Sequence, residues 1–309
     1  MHFAVTGGAG FIGSHLVNYL IKEGHSISVI DNLSYGKKQN LAEVYDQIKF
    51  YQDDIRDLEA LKKILKNVDG VFHQAALTVV QDSLKKPQEY QDVNVSGTEN
   101  IFKLAKEYGL KVVFASSSSV YGHKENMPIR ENAERKPINP YGKTKLDDEY
   151  LFEKYSNLGV SIIGLRYFNI FGKGQTLAYS GVITKFLDRI RESKPPIIFG
   201  DGSQIRDFVF VGDVVRANLT CMNNKSSNFL INIGSGKATS ILQLANMMIG
   251  LSGLSLQAIF QEPQEGDIHK SHADIGSAKK LLKWEPKIEL KTWLHNTISD
   301  KYSDGVLNF

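Results

Sequence analysis

The first half of the chain alternates short apolar runs with segments in which apolar residues recur at helical spacing. The apolar runs lie at 2–6, 26–31, 48–51, 69–73, 111–116 and 161–167. Several of them lack alternation with polar residues, which is typical of strands that are buried on both faces. Strands that alternate with helices predict a parallel sheet covered by helices, so we expect an α/β fold.

The segment between the first two runs predicts the first helix. Its apolar residues near helical spacing are Phe11, Ile12, Leu16, Leu20 and Ile21. Gly24 then provides a helix stop, and after Phe168 the pattern loosens. Strand-like runs return at 208–211 and 228–233, and helical segments lie near 240–251 and 275–283. The pattern predicts a large sheet-and-helix unit and a smaller, loop-rich cap.

Composition narrows the class of function. The 309 residues are 42% hydrophobic and 23% charged with a net charge of +3, which is ordinary for a soluble globular protein. The chain has no concentrated basic run, so we expect no nucleic-acid partner. The lone Cys221 cannot form an internal disulfide, and no apolar stretch reaches the roughly 20 residues of a membrane span. The first strand-like run begins almost at Met1, so we expect no signal peptide. We therefore expect a cytoplasmic protein without a membrane partner.

The run that follows the first predicted strand, GGAGFIG at 7–13, suits a dinucleotide phosphate. Gly7 permits a tight turn, Gly10 lets backbone N–H groups approach a pyrophosphate, and Gly13 lets helix and strand pack closely. The N-terminus of the helix adds a favourable partial charge for the anion. Glycines are common in turns, and the position of these three between a strand and a helix is what indicates a cofactor site.

The second predicted strand ends at Asp31, eighteen residues after Gly13. A carboxylate there can accept both ribose hydroxyls of an adenosine and would repel a 2′-phosphate, so the sequence favours NAD over NADP. The alternative is a solvated aspartate at the end of a strand. Asp54 and Ile55, after the third strand, are a weaker signal for an adenine contact, and helix capping by Asp54 explains them equally well.

Tyr141 and Lys145 suggest acid–base chemistry. They are four residues apart in a predicted helix that follows Asn139-Pro140, so they share a helical face. A tyrosine is a poor base at neutral pH unless a nearby cation favours its phenolate. The run ASSSSVYG at 115–122 follows a β-rich segment and offers hydroxyls for a sugar, or alternatively an ordinary serine-rich turn.

These motifs, taken in order, resemble those of the extended short-chain dehydrogenase/reductase family. The ordered set is TGGAGFIG at 6–13, DN at 31–32, DI at 54–55, HQAAL at 73–77, SSSSVYG at 116–122, YGKTK at 141–145 and RYFNIFG at 166–172. Within that family the chain most resembles UDP-hexose 4-epimerases, particularly the UDP-glucose/UDP-N-acetylglucosamine branch. The resemblance extends from residue 3 to about residue 285.

The resemblance implies a Rossmann-type, doubly wound parallel sheet with a smaller α/β substrate-binding cap. The NAD-binding domain is expected over 1–168, with 207–236 returning to it. The UDP-sugar domain is expected over 169–206 and 237–309. The predicted helices at about 88–108 and 140–157 resemble those that pair as a four-helix bundle in family dimers, so a homodimer is expected.

Site residues are carried over by position. The implied catalytic residues are Tyr141, Lys145 and Ser117, the serine lying four residues before Tyr121. The implied cofactor-binding residues are Gly7, Gly10, Phe11, Ile12, Gly13, Asp31, Asn32, Asp54, Ile55, Gln74, Ala75, Ala76, Tyr141, Lys145 and Tyr167. The implied substrate-binding residues are Ser117, Tyr141, Asn169, Val182, Ile197, Phe199, Arg206, Asp267 and Ser271. No metal is expected, since the eight histidines show no metal-ligand spacing.

Among the implied substrate residues, Asn169 and Arg206 match positions near the diphosphate. Phe199 matches a uridine-side position, Asp267 one near the ribose, and Ser271 one beside the hexose. Two positions depart from the family pattern. Gln264 stands where related epimerases often have an arginine that contacts the diphosphate, which leaves Arg206 more exposed in that role. Val93 stands where the family frequently has an asparagine, although Asn94 follows it.

The resemblance implies a redox-neutral 4-epimerisation. Tyr141 takes the proton of the sugar 4-hydroxyl while C4 gives hydride to NAD⁺, and the hydride returns to the opposite face of the 4-keto sugar. UDP-glucuronate 4-epimerisation is the main alternative and decarboxylation of UDP-glucuronate the next. Dehydratases often place an Asp-Glu pair where Ser118-Ser119 stand here, which disfavours dehydration. A non-catalytic NAD sensor is the alternative from another class.

Overall fold

In the computed structural model the described residues are 1–175, 181–264, 266 and 268–299. The strands are β1 (His2–Thr6), β2 (Ser26–Ile30), β3 (Ile48–Tyr51), β4 (Gly70–His73), β5 (Lys111–Ser117), β6 (Ile162–Tyr167), β7 (Asn169–Phe171), β8 (Ile197–Phe199), β9 (Ile205–Phe210), β10 (Phe229–Ile233), β11 (Ala238–Ser240) and β12 (Ile259–Gln261). The helices are α1 (Phe11–Lys22), α2 (Leu58–Leu65), α3 (Val80–Lys85), α4 (Pro87–Tyr90), α5 (Gly97–Tyr108), α6 (Pro140–Asn157), α7 (Val182–Arg191), α8 (Val211–Asn223), α9 (Ile241–Ser252), α10 (Gly276–Leu282) and α11 (Leu290–Ser299).

The central sheet has seven strands in the order β10-β6-β5-β4-β1-β2-β3, and every neighbouring pair is parallel. The chain starts in the middle at β1, winds outward to β3, and then crosses back to β4. Ligands of such sheets bind at the carboxyl ends of the strands where the winding reverses. The reversal lies between β1 and β4, so this edge is where a site is expected.

Two apolar layers cover the faces of the sheet. On one face, side chains such as Leu16 and Leu20 of α1 and Val214 of α8 are fully buried against β1 and β2. On the other face, Leu61 of α2 and Ile101 of α5 are fully buried in a layer that also holds α6. Burial on both faces explains why these strands read as continuous apolar runs. The Rossmann-type α/β fold is therefore confirmed.

A smaller region follows the sixth strand. It contains a three-stranded sheet, β11-β9-β7, and a two-stranded sheet, β12-β8. Its own apolar core includes Phe171, Phe186, Phe210 and Trp293. Of the segment 207–236, α8 packs against α1 and β10 joins the central sheet, whereas β9 belongs to the smaller sheet. The domain boundaries themselves stay a prediction.

The strands and helices expected from sequence lie within a few residues of their predicted positions. The largest shift is at β9, which begins at Ile205, three residues before the expected 208–211 run. The helix expected at about 88–108 is continuous but changes its winding, because residues 91–96 form a π-helical turn between α4 and α5. In the described part of the chain, no helix is long and apolar enough to cross a membrane.

Candidate active site

A cleft of about 570 Å³ opens at the carboxyl ends of the central strands. Its walls come from the segments that follow β1, β2, β4, β5 and β6, and from the start of α6. The smaller region contributes Arg206, Gly266 and Ser271. The cleft therefore brings together residues that the sequence separates by more than two hundred positions.

The glycine run forms a turn that only small residues can make. Gly7 has a left-handed φ of 66°, and a Cβ there would lie 2.7 Å from the backbone nitrogen of Ala75. A Cβ on Gly13 would lie 2.1 Å from the carbonyl oxygen of Gly7. Helix α1 begins after Gly10 without a side-chain cap, so its first N–H groups remain available to an anion. These features fit the pyrophosphate of NAD.

Asp31 is clamped at the end of β2. Its buried carboxylate accepts hydrogen bonds from the backbone N–H of Ala9 at 2.9 Å and of Leu33 at 2.8 Å. Burial raises the pKa of Asp31, and the two backbone donors oppose that effect. A Cβ on Gly36 would lie 2.8 Å from both carboxylate oxygens, so the following loop closes tightly over the group. This fixed carboxylate fits an adenosine ribose.

The third strand is followed by a pair of carboxylates with different surroundings. Asp54 is bound by the Arg56 guanidinium at 2.9 and 2.8 Å and accepts a hydrogen bond from Asn32 Nδ2 at 2.8 Å. The side-chain hydrogen bonds from Arg56 lower the pKa of Asp54 to about 2. Asp53 and Ile55 line the cleft, whereas Asp54 is not among its lining residues. The Asp54 carboxylate therefore binds Arg56 and Asn32 in this structure, and a direct contact with the cofactor stays a prediction.

The three residues expected to be catalytic all line the cleft. Ser117 is the last residue of β5, and its Oγ accepts a hydrogen bond from Ser119 N at 3.1 Å. Tyr141 is the second residue of α6, which begins at Pro140 after the Asn139 side chain caps its first turn. Within the described residues the Tyr141 hydroxyl has no hydrogen-bond partner, so it remains available to a ligand.

Lys145 lies one turn further along α6 and is almost fully buried. Its Nζ donates to the carbonyl oxygen of Ala115 at 3.0 Å and to Asp148 Oδ2 at 3.1 Å. Burial raises the pKa of the Asp148 carboxyl to about 6, while the Lys145 charge lowers it. We did not identify Asp148 from the sequence, although three consecutive acidic residues at 147–149 were a visible signal.

A second buried network anchors the serine run. Ser116 Oγ donates to Glu149 at 2.7 Å, and Arg166 forms a bidentate pair with the same carboxylate at 2.7 and 2.8 Å. The Arg166 guanidinium also donates to the Tyr121 hydroxyl at 2.7 Å. Because Glu149 lies in α6 and Ser116 in β5, this network fixes the helix that carries Tyr141 against the strand that carries Ser117. It too was missed from sequence.

His73 is buried outside the cleft lining and has a structural role next to it. It is buried, and burial lowers its pKa to about 3, so the ring is neutral. Its Nδ1 lies 2.6 Å from Thr6 Oγ1 and its Nε2 lies 2.9 Å from Thr98 Oγ1. Thr98 donates its own proton to the carbonyl oxygen of Asn94, so the ring donates from Nε2 and accepts at Nδ1. The Thr6 hydroxyl in turn accepts a hydrogen bond from Ala75 N.

Other predicted cofactor residues also reach the cleft, namely Phe11, Ile12, Asn32, Gln74, Ala75, Ala76 and Tyr167. Tyr167 is held by two hydrogen bonds: it donates to Gln74 Oε1 at 3.3 Å and accepts from Asn218 Nδ2 at 2.8 Å. The amide of Gln74 also donates to Asn218, which closes a three-residue ring. Gln74 is thereby held at the cleft wall.

The predicted substrate residues divide into two groups. Asn169, Arg206 and Ser271 line the cleft, as do the departures Gln264 and Val93. Val182, Ile197 and Phe199 are not among the lining residues: Val182 begins α7, and the other two lie in β8 and pair with β12. Their roles stay predictions. Asp267 lies outside the described residues.

Comparison with known proteins agrees with this geometry. Residues 3–234 match the model of the NAD dependent epimerase/dehydratase family. A Methanocaldococcus jannaschii protein provisionally named UDP-glucose 4-epimerase is 41% identical over 300 residues, which are 96% of each chain. Two other relatives, 36% and 33% identical over 95% or more of this chain, are named UDP-glucuronate 4-epimerase (Thermodesulfobacterium geofontis) and UDP-N-acetyl-alpha-D-glucosaminuronate decarboxylase (Bacillus cytotoxicus).

Two solved structures share the whole fold. UDP-glucose 4-epimerase of Thermotoga maritima, solved with UDP-glucose, has a TM-score of 0.92 at 36% identity and covers 97% of this chain and 98% of its own. UDP-N-acetylglucosamine 4-epimerase of Methanobrevibacter ruminantium, solved with UDP-N-acetylmuramic acid, has a TM-score of 0.90 at 35% identity and covers 96% and 97%. The similarity extends over the central sheet and the smaller region alike.

Proposed function

This chain belongs to the NAD-dependent epimerase/dehydratase family, and from that premise we propose that it catalyses the 4-epimerisation of UDP-hexoses. The cofactor is NAD. The proposed substrates are UDP-glucose and UDP-galactose, together with UDP-N-acetylglucosamine and UDP-N-acetylgalactosamine. Relatives with these names cover nearly the whole chain, which supports the proposal.

One observation carries the proposal. Ser117, Tyr141 and Lys145 line the same cleft as the glycine turn and Asp31, although they come from different elements. A tyrosine with an unpartnered hydroxyl, together with a serine hydroxyl and a buried lysine in the same cleft, can take a proton from an alcohol and return it. A sensor that only binds NAD does not need this arrangement.

The chain's residues divide the work of the reaction as follows. When bound, NAD supplies a reversible acceptor for the hydride of the sugar carbon. Tyr141 takes the proton of the 4-hydroxyl, and Ser117 donates a hydrogen bond that stabilises the developing keto oxygen. Lys145 supplies a positive charge that favours the phenolate form of the tyrosine. Tyr141 then returns the proton to the oxygen, and because the hydride would return to the opposite face of the same carbon, no net oxidation occurs.

The substrate would be oriented by groups that the smaller region contributes to the cleft. Arg206 and Asn169 are proposed to bind the diphosphate, since a guanidinium matches phosphate geometry. Gln264 lines the same cleft and offers an amide instead of a second cation. The hexose would lie toward Ser271, whose small side chain leaves room for an N-acetyl group.

UDP-glucuronate 4-epimerisation is the second candidate. A relative 36% identical over 96% of the chain has that name. Thr78, Ser118 and Ser119 also line the cleft, and their hydroxyls can donate hydrogen bonds to a carboxylate. A carboxylate binds more strongly to a cation, and the cations that line the described cleft, Lys145 and Arg206, are assigned above to Tyr141 and the diphosphate. This favours the neutral hexoses as the main substrates.

The decisive experiment is a product assay over UDP-glucose, UDP-N-acetylglucosamine and UDP-glucuronate. We expect epimerisation at C4 for the first two, and epimerisation at C4 of UDP-glucuronate alone would instead establish the second candidate. Tyr141→Phe removes only a hydroxyl, so it should retain bound NAD while kcat falls by about 10² or more, as expected for a lost general base. A Tyr141→Phe protein with more than about a tenth of the normal kcat would contradict the assigned chemistry. A wild-type protein without turnover on any of the three would indicate a sensor.

A further inference from the structure

The carboxylate of Asp148 is buried behind Lys145 and has no place in the chemistry described above. It is fully buried, and Oδ2 accepts the Lys145 ammonium at 3.1 Å. Its other oxygen, Oδ1, is also buried and makes no hydrogen bond of ordinary geometry within the described residues. A buried carboxylate with one unpaired oxygen costs stability, so packing alone does not account for it.

We propose that Asp148 is a positioning residue for the reaction, which holds Lys145 in its charged form and aims its ammonium at the cleft. This inference rests on the proposed function, because it assigns Lys145 the role given there. Asp148 touches neither the cleft nor the reacting atoms and acts only through the lysine.

The geometry around Lys145 supports a fixed orientation. The ammonium has three N–H donors, of which Ala115 O takes one at 3.0 Å and Asp148 Oδ2 takes another. The two acceptors come from β5 and from α6 itself, so they fix the nitrogen between strand and helix. One donor then remains for the cleft that Lys145 lines.

The charge balance supports the second half of the proposal. A buried ammonium is unstable without a negative partner, because desolvation penalises its charged form. Other titratable groups near the pair are the Asp147 carboxylate on α6 and the His73 ring, which is neutral, at the end of β4. From β6, Arg166 faces Glu149, and from α5, Thr98 offers a hydroxyl while Glu99 binds Lys154 at the surface. Within the described residues none of these neighbours forms an ion pair with Lys145, whereas Asp148 does.

The test compares Asp148→Asn with Asp147→Asn, a partly exposed neighbour on the same helix, across a range of pH. Without its carboxylate, Lys145 should lose its proton more readily. We expect kcat of Asp148→Asn to fall on the alkaline side about 1 pH unit or more earlier than for the wild type, the size of a lost neighbouring charge. Because Lys145 is also an expected cofactor-binding residue, retention of bound NAD should weaken over the same alkaline range. Asp147→Asn should follow the wild type in both measurements.

The two readouts separate the two hypotheses. If no UDP-sugar is turned over but NAD retention by Asp148→Asn shows the alkaline shift, the proposed function is wrong and the positioning role stands. If Asp148→Asn keeps the wild-type pH dependence in both readouts, the positioning role is wrong whatever the substrate. Should Asp148→Asn fail to fold, Asp148→Ala removes the same charge with a smaller side chain and is judged by the same shift. Asp148→Glu keeps the negative charge. If this variant folds, its kcat should show the same pH dependence on the alkaline side as that of the wild type.

Discussion

Ser271 is the single residue on which the breadth of substrate choice rests in our proposal. It is buried at the cleft wall and held by a backbone hydrogen bond from its N–H to the carbonyl oxygen of Ile205. A bulky side chain at this fixed position would occupy the volume that an N-acetyl group needs. Ser271→Tyr should therefore lose about tenfold or more of its turnover on N-acetylated sugars, since overfilling a packed site costs roughly 1–3 kcal/mol. Turnover of UDP-glucose should be largely spared.

The control for this change is Ser271→Ala, which keeps the space open and should retain both activities. Initial rates on the two substrate pairs decide the matter. An equal loss on both pairs, or a wild type inactive on N-acetylated sugars, would falsify the proposed role of Ser271 in admitting N-acetylated sugars, while leaving 4-epimerisation intact.

The raised pKa of Asp148 also predicts how the free energy of unfolding depends on pH. Burial raises its pKa from 3.8 to about 6 in the folded chain, so the folded state binds the proton more tightly than the unfolded state does. The stabilising contribution of the protonated form is complete below about pH 4 and is lost as the pH rises through about 6. The free energy of unfolding of the wild type relative to Asp148→Asn should therefore increase as the pH falls from about 6 to about 4.

Urea unfolding of the two proteins at several pH values measures this difference, and Asp147→Asn serves again as the control. We expect a change on the order of 1–3 kcal/mol, since one pKa unit corresponds to about 1.4 kcal/mol. A difference that does not vary over this range would show that Asp148 stays ionised throughout.

The same residues show what sequence can and cannot predict. The glycine turn, Asp31 and the Tyr141–Lys145 pair were found because their signals are local: a strand, a turn and a helix face within a few positions. Asp148 was missed because its burial depends on β5 packing against α6, which no short window contains. Ser117 could be assigned only through the family resemblance, since four consecutive serines look alike in sequence.

At the scale of elements, the turn between β1 and α1 is the most constrained part of the cleft. Gly13 meets the Gly7 carbonyl at a distance that excludes any side chain. Gly13→Ala should therefore displace the turn, release NAD and lower the free energy of unfolding. Gly250→Ala is the matched control, because Gly250 lies exposed in α9 with open space around its Cα. That change should keep NAD and stabilise the protein by about 0.5–1 kcal/mol.

The measurement is the amount of nucleotide released from each denatured protein, together with its melting temperature. Normal NAD content in Gly13→Ala would mean that the turn can shift without cost to the site.

Elements outside the turn were predicted with less detail. The π-helical turn at 91–96 was missed because it inserts into a segment whose apolar pattern reads as one regular helix.

At the scale of the whole molecule, the expected homodimer stays a prediction. The two long helices proposed to pair, α5 and α6, expose few apolar side chains, and Tyr150 of α6 is the largest at 51% exposure. If α6 forms the interface, Tyr150→Glu should bury a charge and shift the protein to monomers. Sedimentation velocity should give twice the mass of one chain for the wild type and for Leu281→Glu, a control that alters an exposed apolar residue of α10.

A wild-type protein that sediments as a monomer would contradict the dimer proposal directly.

The overall architecture was predictable because both halves of the sheet follow the alternation of strand and helix. Arg206 and Ser271 could be assigned to the cleft only through the family resemblance, since they reach it only after the smaller region folds back over the strands. For the same reason, sequence did not indicate that Val182, Ile197 and Phe199 fall outside the lining.

The late arrival of β10 has a consequence for how the chain is made. This strand pairs with β6, yet its last residue, Ile233, follows Tyr167 by 66 positions. At ribosomal speeds of about 5–20 residues per second, the outer edge of β6 waits roughly 3–13 s for its partner. During that time a row of unpaired backbone groups on an apolar strand is open to other nascent chains. During the interval between synthesis of β6 and of β10, pairing with other chains therefore competes with correct folding at this edge.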